Sequence, residues 1–114
     1  MLDQPKSMNT KPLTIIAIVT AKPGREGELR TAQEQLVADT LQESGCLYYE
    51  LHQSREDGRI LVFVESWETE KQWRDHMEGE AMQRFRATGA SDLIEDFSLL
   101  QLDPVAGGRG SAAA

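Results

Sequence analysis

At 114 residues the chain is the size of one domain, since domains cluster at roughly 100–150 residues. With 39% hydrophobic and 27% charged residues it reads as a soluble globular protein rather than a disordered one. A formal net charge of −7, with no run of Lys and Arg, excludes the basic footprint that nucleic acid or an anionic membrane needs.

The single cysteine, Cys46, excludes an intrachain disulfide and fits a reducing compartment. The longest apolar run, Leu13–Val19, is far short of the ~20 residues that span a bilayer. It follows a polar stretch without a secretory cleavage site, so the expected location is cytoplasmic.

Residues 1–12 (MLDQPKSMNTKP) are polar and aperiodic and are expected to form a flexible leader. Leu13–Thr20, rich in Ile and Val, predicts a strand. Pro23-Gly24 breaks the chain, with Pro suited to a first helical turn. From Glu26 to Glu43 the larger apolar residues Leu29, Leu36, Val37 and Leu41, with Ala32, recur at helical spacing. Ser44-Gly45 then stops the helix.

Two β-favouring runs, Cys46–His52 and Ile60–Trp67, flank Glu56-Asp57-Gly58 and predict a hairpin, Gly58 being expected to supply a positive φ. Thr69 with Gln72 predicts a capping box opening a short helix through Met77. Gly79 interrupts it, a second helical piece carries Ala81, Met82 and Phe85, and Gly89 closes that piece. Ile94–Leu102 is the last strand. The small, Gly-rich residues 104–114 are expected to form a flexible tail, leaving 13–103 as the working domain.

The order β-α-β-β-α-β predicts an α+β, ferredoxin-like sandwich, a four-stranded antiparallel sheet with helices on one face. In the first strand both parities are apolar (Leu13, Ile15, Ala17, Val19 against Ile16, Ile18), and so they are in the third (Leu61, Phe63 against Ile60, Val62, Val64). Helices cover only one face. A bare face of four such strands is a larger apolar patch than a monomer usually exposes, which predicts a homodimer with its sheets face to face.

Glu65 and Trp67 share a parity with Leu61 and Phe63, placing a carboxylate in an apolar row, where it must be paired, hydrogen-bonded or raised in pKa. The plainer reading is that Glu65 reaches solvent or Arg59. His76 shares a helix face with Trp73, and imidazole is the side chain best matched to proton transfer near neutrality, although a lone helical His is more often structural. Tyr48 and Tyr49 point to opposite faces; Tyr49, in a row with Leu47 and Leu51, is favoured for a cavity. His52 is expected exposed and Cys46 a buried small hydrophobe. No metal-ligand spacing, nucleophile motif or nucleotide-binding loop occurs in the sequence, so no metal or cofactor is expected.

Pro23-Gly24-x-Glu26, Gly45-Cys46-Leu47-x-Tyr49-Glu50-Leu51, and Val64-Glu65-x-Trp67 followed by His76 together resemble the antibiotic biosynthesis monooxygenase superfamily, in particular its small quinol monooxygenase-like members. The resemblance runs from about Leu13 to Leu102. It implies a dimeric ferredoxin-like fold with a pocket between sheet and helices. Relatives oxygenate quinols or polycyclic phenols with O2 and no metal or flavin; others degrade haem, and one branch isomerises a phosphorylated signalling sugar. The first strand lacks the Asn of the haem-degrading branch, and Gly79-Glu80-Ala81 replaces a stretch that carries a second His in many relatives.

The function expected on these grounds is a cofactor-independent monooxygenase acting on a small aromatic, a quinol or anthrone-like compound, with O2. His76 would be the base, Trp67 and Tyr49 a wall and a hydrogen bond, and Glu65 would orient the imidazole or a water. The alternatives are a non-catalytic dimeric binding module and the sugar-phosphate isomerase, which would use Arg84 and Arg86.

Overall fold

The computed structural model describes residues 11–108. The leader expected at 1–12 lies almost wholly outside the described residues, as does the end of the tail expected at 104–114. The elements are β1 (Leu13–Ala21), α1 (Glu26–Thr40), β2 (Cys46–Gln53), β3 (Ile60–Trp67), α2 (Glu70–Met77), α3 (Glu80–Ala87), a 3-10 turn (Ala90–Leu93) and β4 (Ile94–Leu102). The sheet order is β2-β3-β1-β4, with every neighbouring pair antiparallel. This is the ferredoxin-like sandwich, its second helical segment divided by Gly79 into α2 and α3.

Strand alternation decides the layers. Ile15, Val19, Leu61, Phe63 and Trp67 face the helices and form one core with Leu29 and Leu36 of α1, Trp73 of α2, and Ala81 and Phe85 of α3. The register sets Tyr49, Glu65 and Ile15 side by side across β2, β3 and β1, on the helix-covered face. Thr69 caps α2, its Oγ1 accepting from the Gln72 backbone N–H at 3.2 Å.

Three local expectations need correction. The buried stripe of α1 is Leu29, Gln33, Leu36 and Thr40, while Leu41 is exposed and Ala32 and Val37 are only half-buried. A polar residue thus occupies a central core position. Pro23 lies in the turn before α1, closed by Arg25 N–H donating to Lys22 C=O, with Gly24 at φ 80°. The β2–β3 hairpin forms, but Gly58 is not among the positive-φ glycines. Ser54 Oγ accepts from the N–H groups of Glu56 and Asp57, and Asp57 Oδ1 from that of Arg59, so side chains hold the loop.

At Gly45 both the backbone and the space around it require glycine. Its φ is +84°, and an added Cβ would overlap the end of the Gln72 side chain. Gly45→Ala is expected to destabilise the fold by about 1–2 kcal/mol, read as a lower urea midpoint at unchanged slope.

The other sheet face has no helix over it. Ile16, Ile18, Val62 and Val64 are half-buried there, and Leu100 and Leu102 are 51% and 41% exposed. The face is not apolar across all four strands, as parity in β1 and β3 alone suggested. Register places Tyr48, Glu50 and His52 of β2 on it, with His52 Nε2 2.8 Å from Glu50 Oε1.

Candidate active site

Between the sheet and the helices lies a cavity of about 140 Å³. Tyr49, Glu65 and His76 line it, together with Gln33 from α1, and its walls are otherwise mostly apolar (Phe63 and Phe85 among them). Arg86, Ser91 and Phe97 sit at the exposed rim.

His76 is buried on α2, and its Nδ1 lies 2.7 Å from Glu43 Oε1. Glu43 is in the short turn after α1, where its N–H donates to Thr40 C=O and its own C=O accepts from Cys46 N–H. That turn aims the carboxylate back at α2. A carboxylate accepts the Nδ1 proton, which leaves the Nε2 lone pair unprotonated on a ring that borders the cavity. Burial pulls the His76 pKa below its ordinary 6.5, with Glu43 opposing. The imidazole is therefore neutral near pH 7.

Glu65 is 4% exposed and accepts a hydrogen bond from Trp67 Nε1 at 2.9 Å. Burial pushes its pKa up to about 7, with the indole bond pulling the other way. Glu65 has neither solvent nor Arg59 as partner; Arg59 donates to Ala21 C=O and pairs with Glu95. Nor does Glu65 hold the imidazole, since Glu43 does that. Burial raises the Tyr49 phenol, the Glu65 charge adds to the rise, and the Thr40 hydroxyl opposes it. Tyr49 is thus a hydrogen-bond donor over the whole working range rather than a base.

The four expected residues form one cluster. Tyr49 stands 5.4 Å from His76 and 6.3 Å from Trp67, and Trp67 stands 4.8 Å from His76, as ring centroids. Trp67 is fully buried and is not part of the cavity lining, so it is a support behind the site and not a wall. His52 is exposed as expected. Cys46 is half-buried, its thiol pushed up to about 11 by burial, and so is a poor nucleophile.

Residues 12–88 match the family model described as antibiotic biosynthesis monooxygenase. The chain belongs to that family. Among solved structures, PA3566 from Pseudomonas aeruginosa is 35% identical, with a TM-score of 0.79 over 86% of this chain and 98% of that one. SO0527 from Shewanella oneidensis is 28% identical, with a TM-score of 0.76 over 84% and 93%. Rv0793 from Mycobacterium tuberculosis aligns at 30% identity over 54 residues, 47% of this chain and about half (54%) of that protein's length. Its structure superposes with a TM-score of 0.77 at 23% identity, which speaks to fold alone.

Two members of the site carried no signal in the family pattern, Glu43 and Gln33. Glu43 lies 33 residues from the imidazole it holds, a separation no local motif reports. Gln33 sits four residues after Leu29 and three before Leu36, so its helical position, and not its residue type, points inward.

Proposed function

We propose that this family member is a monooxygenase that oxidises a small single-ring quinol or phenol with O2, the ring itself supplying the electrons. Family membership supports a monooxygenase-like role in general, and the name of Rv0793 assigns that protein provisionally to the same class. The observation that carries the reading is the cavity floor: a neutral imidazole anchored at Nδ1 by Glu43, beside a buried carboxyl ionising near 7, under apolar walls. A cavity of about 140 Å³ is well below the ~300–1,000 Å³ that holds a drug-sized ligand, which favours one ring over a fused anthrone.

Triplet O2 reacts slowly with closed-shell organics, but a phenolate gives up one electron readily. His76 Nε2 takes the hydroxyl proton, and Tyr49 with protonated Glu65 donates to the phenolate oxygen. The phenolate reduces O2 to superoxide, and recombination forms a carbon–oxygen bond on the ring. Loss of the ring hydrogen as a proton and cleavage of the O–O bond leave one oxygen on the product and release the other as water. Apolar walls keep water from quenching the radical pair.

Oxygen uptake with methylhydroquinone, with labelled O2 and mass analysis of the product, tests this. Uptake above autoxidation with one label atom incorporated is expected; label appearing only in peroxide would contradict it.

The same reading includes a homodimer closed over the uncovered sheet face, supported by Ile16, Ile18, Val62, Val64, Leu100 and Leu102 lying there together. Light scattering after size exclusion at micromolar concentration is expected to give twice the chain mass, and Val64→Asp to shift it to monomer. A wild-type monomer would contradict this. The phosphate-binding alternative has less support. Arg84 is engaged by Asp39 and Glu80, leaving Arg86 as the one cation at the cavity among the described residues.

A further inference from the structure

Gln33 stands out among the buried polar groups. It is 1% exposed on the core stripe of α1, between Leu29 and Leu36, at a position where an apolar residue would complete the stripe. Its side chain lines the cavity, yet its Oε1 is buried without a hydrogen-bond partner among the described residues. Buried Glu26, Thr40 and Trp73 side-chain atoms also lack partners among the described residues, but of the four only Gln33 lines the cavity, where a partner can come from within it. A ligand that fills the cavity and displaces water must present a donor to that oxygen or lose the hydrogen bond.

We infer that Gln33 is a specificity residue of the cavity, its amide oxygen accepting the hydrogen of the second hydroxyl of a single-ring quinol, the one that His76 does not deprotonate. The inference rests on the single-ring reading above and deepens it, naming the group that tells a quinol from a ring with one hydroxyl. An amide oxygen accepts but does not donate, so the ligand must bring a donor to it, and on a quinol that donor is the second O–H. A site built to pair a ligand hydroxyl discriminates strongly against the analogue lacking it, because its own polar atom is then left alone. Gln33 faces the sheet from α1, whereas His76 and Glu65 come from α2 and β3, so the amide reads a ligand from a different wall than the reacting groups do.

The test is binding, without O2, of hydroquinone and p-cresol, which share one hydroxyl and differ by a second hydroxyl in place of a methyl. Wild type is expected to prefer hydroquinone by roughly tenfold or more. Gln33→Met keeps the bulk and removes the amide, and is expected to cut the preference at least about fivefold. In the wild-type protein the Gln33 side-chain NH2 resonances are expected to shift more with hydroquinone than with p-cresol, a readout that stands even if Gln33→Met fails to fold. An unchanged preference in Gln33→Met, NH2 resonances that answer the two ligands alike, or no binding of either ring would overturn the inference. Because the readout is anaerobic affinity, a hydroquinone preference that depends on Gln33 would stand even if oxygen uptake failed.

Discussion

His76→Ala is expected to lower oxygen uptake on a quinol by ~10²–10⁴-fold, the range a positioned general base contributes. Melting measured alongside separates lost chemistry from lost fold, since His76 is buried. Glu43→Gln is the sharper companion. The amide it introduces can no longer accept the Nδ1 proton as a charged partner, so the tautomer that presents a bare Nε2 loses its anchor. The rate is expected to fall by on the order of tenfold, part of the base's whole contribution. Because Glu43 holds the His76 pKa up against burial, its removal is also expected to move the acid limb of the pH–rate profile to lower pH. A fall in rate with the acid limb unmoved would mean that Glu43 supports the fold and not the base.

Glu65→Gln is expected to change the pH dependence of stability. The carboxyl ionises near 7 in the folded chain and at an ordinary 4.5 when unfolded, so between those values the folded state holds the proton more tightly. Stability from this group is therefore fully present below pH 4.5 and is lost as pH rises through 7, on the order of 3 kcal/mol in all. The Glu65→Gln side chain keeps an oxygen for Trp67 Nε1 and carries no charge, so the variant is expected to gain on wild type as pH climbs from 5 to 8. His76 works the other way, costing stability only as pH falls below 6.5, so the two slopes are separable. Denaturant titrations across that range check it; equal pH slopes for the two proteins would show that Glu65 is not a buried, neutral acid. The same ionisation is expected to set the basic limb of activity near pH 7, because ionised Glu65 can no longer donate to the phenolate.

The elements were legible because their signals are local. β3 and β4 run over the same residues that apolar patterning marks, and the Thr69 cap is readable from the Thr69-x-x-Gln72 spacing. The cluster of Tyr49, Glu65 and Trp67 follows from strand parity and one register, which the hairpin fixes. The partners of His76 and the facing of α1 were not legible. Residue type marked the stripe through Val37 and Leu41, while helical position turned Gln33 and Thr40 inward with Leu29 and Leu36 and left Leu41 exposed. Gly58 misled in a smaller way. Asp-Gly suggested a left-handed turn, but the six residues between the strands leave room for Ser54 and Asp57 to brace the loop with their side chains.

The tautomer of His76 bears most directly on the proposed chemistry, and nitrogen NMR on uniformly labelled protein reads it. The chain has only two histidines, and His52→Asn assigns them. A neutral His76 with its proton on Nδ1 and a bare Nε2 at pH 7 is the predicted result. A proton on Nε2, or a doubly protonated ring, would leave the cavity without its base and contradict the account.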